Sequence, residues 1–292
     1  MSARRILPAG FAVALAFGSL ASIAHAQFGG LDKLRQGIDK AKSTTQSVTD
    51  TSRKVADTAK DASKVAKGVM GIGPEEEKLI GESVALEIIG KYGGLVRDDA
   101  IVKRVNLLGQ ALAYYSTRPA LPWTFAVLDS ASVNGFSAPG GYVFITRGLY
   151  DAVAGSDDAL AAILAHEIAH ITERHALKII ARAEFVAGTT TLAVKNNATA
   201  AQVQSQLSQF DTGIADLLKT LLEKGFDPKT ELAADKTGRA LAVTVGYAPG
   251  ALRQVLVQLQ QKKSDPNATF STHPPLADRI KNLPNDPAPA SQ

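Results

Sequence analysis

Two histidines and a glutamate at helical spacing are the residues of this sequence best suited to chemistry. His166 and His170 frame the letters HEIAH, with Glu167 directly after the first histidine. On an α-helix, positions i and i+4 lie about 40° apart around the axis, so both imidazoles can face one ion. Zn²⁺ fits best, because it accepts imidazole and carboxylate ligands while keeping a position for water, which Glu167 can deprotonate. The alternative for a lone HExxH match is a histidine pair that is merely packed or exposed.

Glu231 is the candidate for a third metal ligand. Glu231 and Asp235 stand at i and i+4 in the letters ELAAD, so they share one face of a predicted helix. Glu231 can complete a site of two histidines and one glutamate, while Asp235 can accept an imidazole N–H and select a ligand's tautomer. The alternative is a solvated acidic helix face. If the first helix continues, His175 lies about half a turn from His166, which indicates a structural or outer role.

Helices with recognisable starts must position these residues. Ser156 precedes an acidic pair and favours a helix over 157–176, and Asp227 with Pro228 favours one over 229–245. Alternation predicts a half-buried strand over 123–127, and a second strand is expected over 142–146. Further helices are expected from Pro74 and over 98–115, 213–224, 249–263 and 275–283, with a polar, mobile connection near 188–208.

The first 26 residues have the features of a secretory signal peptide. Arg4 and Arg5 precede an uncharged, apolar stretch that ends in the small-x-small sequence Ala24-His25-Ala26. We expect cleavage near Ala26 and export to the periplasm; the alternative is an uncleaved membrane anchor.

Residues 27–73 form a basic segment with the 3–4 spacing of a long amphipathic helical arm. The arm is either loosely attached or docks on a partner protein or an anionic membrane surface. Glycines and Pro74 end it, so we place the catalytic domain at 74–285 and a disordered tail at 286–292.

Composition excludes several classes of function. The net charge of +4 and the 6% aromatic content do not indicate a nucleic-acid-binding surface. With no cysteine, the chain has no disulfide, no thiolate metal site and no cysteine nucleophile.

Five motifs in order make the sequence similar to a zinc metallopeptidase family, that of the CAAX prenyl proteases, bacterial membrane heat-shock proteases and periplasmic chaperone-proteases. The motifs are the acidic Glu75–Glu77, the segment Asn134–Tyr142, HExxH at 166–170 followed by Arg174 and His175, ExxxD at 231–235, and Ser271–Ile280. The resemblance implies an α+β zincin-like domain, mostly helical, with a small sheet whose edge strand borders the active site. It also implies one zinc per chain, bound by His166, His170 and Glu231, with Glu167 catalytic.

The resemblance further suggests how a substrate is held. The strand after Gly141 would be an edge strand to which an extended, unfolded polypeptide adds its own backbone. The substrate-binding candidates are Asn134, Phe136, Ala138, Gly140, Tyr142, Val143, Phe144 and Arg279.

His273 lies in a loop stiffened by two following prolines. A lone loop histidine is usually a surface residue, but the resemblance and the nearby Arg279 place it near the zinc. It could stabilise an oxyanion, or it could be a fourth ligand that keeps the enzyme latent. We favour latency, because a protease with a sequence-tolerant groove needs restraint.

These features together predict a periplasmic zinc endopeptidase that hydrolyses misfolded or misassembled envelope proteins. After residue 26 we expect neither a membrane-spanning helix nor a tetratricopeptide domain, so a lipid-modified substrate is not expected. The first alternative is a chaperone or assembly factor of the same fold that binds extended polypeptides with little proteolysis. The second is a structural protein whose metal has four protein ligands.

Overall fold

The computed structural model describes residues 71–187, 208–261, 273 and 275–286. The predicted signal peptide, the arm up to residue 70, the stretch 188–207 and the tail after residue 286 lie outside the described residues. Within the described part, the chain is mostly helical with one small sheet, so the α+β prediction is confirmed. No helix in this part combines the length and apolar character needed to cross a bilayer.

The helices and strands are named here in chain order. The α-helices are α1 (Pro74–Lys91), α2 (Asp99–Tyr114), α3 (Arg147–Val153), α4 (Asp157–Thr172), α5 (His175–Ala187), α6 (Asp211–Lys219), α7 (Pro228–Val245), α8 (Ala251–Gln261) and α9 (Leu276–Asn282). The strands are β1 (Thr124–Leu128), β2 (Gly135–Ala138) and β3 (Tyr142–Thr146). A 3₁₀ turn (Ser208–Phe210) precedes α6, and a π-helical turn (Thr220–Lys224) follows it.

The two helices that carry the chemical motifs begin where the sequence predicts. The Ser156 side chain accepts a hydrogen bond from the Ala159 amide and caps α4. The Asp227 carboxylate accepts hydrogen bonds from the amides of Lys229 and Thr230 and caps α7. Both side chains satisfy amides that have no partner inside the helix.

The sheet has the order β1-β3-β2, with β1 parallel and β2 antiparallel to β3. The strand after Gly141 is therefore the central strand, and the prediction that it is an edge is wrong. The prediction of a half-buried first strand is also wrong, because every residue of β1 is buried. Apolar clusters cover both faces of the sheet, with Phe125 and Val127 in one and Ala126 and Leu128 in the other.

The sequence alone did not predict β2 and α3. Residues 134–141 contain the glycines and proline of a turn, and the short β2 becomes a strand only because it pairs with β3. The predicted helix over 157–176 is divided into two. The first part ends at Thr172, and Arg174 adopts a left-handed conformation (φ 56°) before α5 begins at His175.

Candidate metal centre

Helix α4 carries three buried site residues in its second half. The rings of His166 and His170 are 4.8 Å apart, and their Nε2 atoms are separated by 3.2 Å. The expected i, i+4 convergence of the two imidazoles is therefore present. Glu167 lies between them in the sequence and is completely buried.

Helix α7 crosses α4 closely enough to bring Glu231 and Asp235 to the histidines. Gly238 makes this approach possible, because a Cβ atom at that position would lie 2.8 Å from the Cα and N atoms of His166. Contacts this short with backbone atoms cannot be relieved by a side-chain rotation. The glycine therefore sets how close the two helices come.

Four buried residues converge with one ligand atom each: His166, His170, Glu231 and His273. Glu231 Oε2 is 3.5 Å from His166 Nε2, and Glu231 Oε1 is 3.6 Å from His170 Nε2. His273 Nδ1 lies 3.1 Å from Glu231 Oε1 and 3.5 Å from His166 Nε2. A tetrahedral site with bonds of about 2.0–2.1 Å has donor–donor edges of roughly 3.3 Å. Several separations are close to that edge length, and all four ligand atoms lie within 4.8 Å of one another, so the cluster suits one small ion.

The buried carboxylate of Glu167 lies beside these donors. Neither of its oxygens has a hydrogen-bond partner among the described residues. Glu167 Oε1 is 3.6 Å from His273 Nε2, which is outside hydrogen-bond range. Burying a polar group without a partner is unfavourable, so this carboxylate is positioned to act on something that enters the site.

Asp235 contacts the ring of His166, as the sequence predicts. Asp235 Oδ1 is 3.0 Å from His166 Nδ1, the ring nitrogen opposite the one that faces the other donors. Arg279 donates to both Asp235 oxygens, at 2.8 and 2.6 Å, and to the His273 carbonyl at 3.1 Å. Arg279 is only 1% exposed and its contacts are with protein groups, so its role in substrate binding stays a prediction. Its guanidinium links the His273 loop to α7.

His175 is not on the far side of the site. Because the helix breaks at Arg174, the His175 ring packs against the His170 ring, with 3.1 Å between the two Nδ1 atoms. Phe226 stacks on the His170 ring at 4.3 Å and 21°. Sequence reasoning missed Phe226, since a single aromatic residue before Asp227 carries no spacing signal.

Burial and neighbouring groups shift the pKa values of His166 and His170 in opposite directions. Burial and Arg279 lower the pKa of His166, but hydrogen bonds with Asp235 and Glu231 outweigh them and raise it to about 9. Burial lowers the pKa of His170 well below its usual range despite the attraction of Glu231. These contacts favour the charged form of His166 and the neutral form of His170.

Both acidic side chains are held ionised. Burial alone would raise the pKa of Glu231, but the charge of His273 and the hydrogen bond with His166 lower it well below its usual range. Burial likewise opposes ionisation of Asp235, but His166 and Arg279 lower its pKa. Ionised carboxylates are the form that binds a metal or orients an imidazole.

Within the described part of the chain, β2 rather than β3 is an edge strand of the sheet at the centre. Thr146 N donates to the Asn134 carbonyl, so alternation along an antiparallel pair turns the backbone groups of Gly135 and Ser137 away from β3. His273 Nε2 lies 3.2 Å from the Gly135 carbonyl oxygen. By the same alternation, the outward backbone groups of Val143 face β1.

The predicted substrate-binding residues therefore separate into groups. Val143 and Phe144 are buried in the central strand, which contradicts a role as a free edge. The ring of Phe136 packs against Tyr92 at 4.6 Å. The Gly140 amide donates to Glu77 Oε1, and the Tyr142 hydroxyl is 3.4 Å from Glu82 Oε1.

Asn134 directly precedes β2, and Ala138 is the last residue of that strand. Asn134 Oδ1 accepts a hydrogen bond from the Gly135 amide, and the side chain of Ala138 belongs to the cluster below the sheet. Burial also raises the pKa of the Tyr142 hydroxyl. The segment Asn134–Tyr142 thus builds a wall of the site, with β2 at the edge of the sheet.

Comparison with known proteins agrees with this geometry. A mitochondrial metalloendopeptidase OMA1 of Schizosaccharomyces pombe is 29% identical over 212 residues, which cover 71% of this chain and 60% of the relative. A beta-barrel assembly-enhancing protease of Escherichia coli is 25% identical over 199 residues, covering 65% of this chain and 40% of the relative. The matches thus span between 40% and 60% of the length of these two relatives. The model of Peptidase family M48 matches residues 101–286, more than half of the chain, so this protein belongs to that family.

Proposed function

We propose that this protein is a zinc metalloendopeptidase that cleaves unfolded or misassembled polypeptides of the cell envelope. The observation that carries the proposal is the Glu167 carboxylate, buried and without a hydrogen-bond partner beside four converging metal-ligand atoms. Among these donors, His166, His170 and Glu231 would hold one zinc ion, and their two-histidine, one-carboxylate chemistry suits zinc. Bound zinc supplies Lewis-acid catalysis, which polarises a carbonyl and lowers the pKa of water.

The residues of the chain then have separate roles. Glu167 accepts a proton from the attacking water as the new carbon–oxygen bond forms, and returns it to the leaving amine as the carbon–nitrogen bond breaks. Asp235 orients His166 through the ring nitrogen that does not face the ion. The apolar residues packed around α4 limit access of bulk water to this chemistry.

The backbone of β2 supports a polypeptide substrate. Gly135 and Ser137 direct amides and carbonyls away from β3, and Gly135 lies next to the carboxylate of Glu167. A substrate strand would displace the contacts of the Gly135 amide with Asn134 Oδ1 and of its carbonyl with His273 Nε2. An extended segment of substrate can add as a further strand there, with backbone hydrogen bonds that read little side-chain sequence. Folded proteins lack free extended segments, so unfolded chains are the expected substrates.

The names of relatives support the place of action. One relative is named as a beta-barrel assembly-enhancing protease, and the signal-like segment at 1–26 favours export to the periplasm. The basic segment 27–73 would add a peripheral contact with a membrane surface or a partner protein.

The test combines metal analysis with proteolysis of unfolded casein. The purified protein should carry one zinc per chain and cleave casein, and a chelator should abolish cleavage until zinc is restored. Glu167→Gln should retain zinc and lose cleavage, because it removes only the proton acceptor. Glu87→Gln, the same change at an exposed position of α1, should behave as the wild type.

Two results would contradict the proposal. Loss of zinc from Glu167→Gln would make Glu167 a ligand rather than the base. Casein that is bound but not cut by the zinc-loaded protein would favour an assembly factor of the same fold.

A further inference from the structure

The second ring nitrogen of His170 faces another histidine instead of a carboxylate or a carbonyl. His170 Nδ1 lies 3.1 Å from His175 Nδ1, and both rings are buried. Metal-binding histidines usually donate this N–H to a carboxylate, a backbone carbonyl or water, which orients the ring. At His170, an imidazole takes that position.

A metal bound at the centre would determine which ring nitrogen of His170 and of His175 carries a hydrogen. His170 binds through Nε2, so its hydrogen is on Nδ1 and is donated to His175 Nδ1. His175 must accept at Nδ1, so its own hydrogen is on Nε2. That atom is 3.2 Å from Glu173 Oε2, which accepts it.

The far end of the chain is anchored to another helix. Thr237 of α7 donates its hydroxyl hydrogen to Glu173 Oε1. Glu173 immediately follows α4, which carries His170, while α7 carries Glu231. The contacts therefore tie together the two helices that supply the ligands.

The backbone is shaped to deliver His175 to this place. Arg174 has a φ of 56°, which is unfavourable for a residue with a side chain, and it turns the chain so that His175 begins α5. Phe226 stacks on His170 at 4.3 Å and restricts rotation of the same ring. Two contacts, one polar and one apolar, thus restrain one ligand.

We propose that His175 is a positioning residue for the metal centre, which holds His170 as its Nδ1–H tautomer and passes the hydrogen-bond chain on to Glu173 and Thr237. This inference rests on the proposed function, because it requires His170 to bind the metal. His175 itself does not touch the ion or the substrate.

The first test measures zinc affinity by competition with a chromophoric chelator. His175→Phe keeps a ring but removes both nitrogens, and it should weaken zinc binding about 10–100-fold. His175→Asn places an oxygen near the position of Nδ1, so it can accept from His170, and it should recover at least about fivefold of that loss. Leu177→Ala, a buried change in the same helix, should lower thermal stability but leave zinc affinity within about twofold.

The second test reads the tautomers directly. Nitrogen-15 NMR of the imidazole rings in the zinc-loaded wild type should show hydrogen on Nδ1 of His170 and on Nε2 of His175. Hydrogen on Nδ1 of His175, or on both of its nitrogens, would overturn the proposal.

The affinity data separate this proposal from the proposed function. If His175→Phe binds zinc as tightly as the wild type does, the positioning role is refuted and the metal centre is left intact. Equal losses in His175→Phe and His175→Asn would show that ring packing, rather than the acceptor, matters. A wild-type chain that binds no zinc would refute the metal centre itself.

Discussion

Replacing His273 with alanine is expected to increase proteolysis. His273 Nδ1 is within 3.1–3.5 Å of donors on Glu231 and His166, so under the latency hypothesis it would be the fourth protein ligand of a bound ion. A site closed by four protein ligands keeps no position for a reacting water. His273 Nε2 also lies 3.2 Å from the outward Gly135 carbonyl, the group with which a substrate strand would pair. The side chain would thus compete both with a water at the ion and with a substrate strand at β2.

The size of the increase follows from the contacts that hold His273 in place. If Nδ1 binds the ion it carries no hydrogen, so the hydrogen bond that the ring donates is the one from Nε2 to the Gly135 carbonyl, which contributes about 1 kcal/mol. Losing this contact should favour the open arrangement by about that amount and raise kcat/KM at least about fivefold.

The assay follows release of fluorescent fragments from labelled casein at equal zinc occupancy of wild type and variant. Zinc affinity should fall in His273→Ala while activity rises, because a ligand is lost as the site opens. Asp278→Ala, an exposed change in α9, serves as the control. A decrease in kcat of about 10²–10³-fold would refute latency and indicate oxyanion stabilisation. Wild-type kinetics would exclude both roles.

Three further changes test the remaining geometry. Asp235→Ala should weaken zinc affinity about 10–100-fold, because His166 loses the partner that orients its ring, and unchanged affinity would remove Asp235 from the site. Gly238→Ala should lower the free energy of unfolding by about 1–3 kcal/mol, since its Cβ would clash with the His166 backbone; an unchanged urea midpoint would disprove the close approach. Ser137→Pro should slow casein cleavage at normal zinc content by removing an outward N–H of β2, whereas Val143→Pro should unfold the sheet; equal cleavage by Ser137→Pro and wild type would argue against pairing at this edge.

Some features of this protein are local enough to be predicted from the sequence. The two histidines of α4 converge because a four-residue spacing has the same consequence on any helix, and Ser156 and Asp227 cap helices through contacts within three residues. Glu231 and Asp235 share a face of α7 for the same reason. The predicted α+β class also depended on such local patterns.

The tertiary structure decided what depends on contacts between distant parts of the chain. Strand order cannot be read from alternation, and the resemblance suggested an edge position for β3, which lies between β1 and β2. His175 reaches His170 only because Arg174 breaks a helix that periodicity would continue. Arg279 was expected to meet substrate, but its buried guanidinium binds Asp235 and the His273 carbonyl. Helical spacing therefore determines which side chains can share a site, whereas packing between distant segments determines which of them bind, which orient and which block.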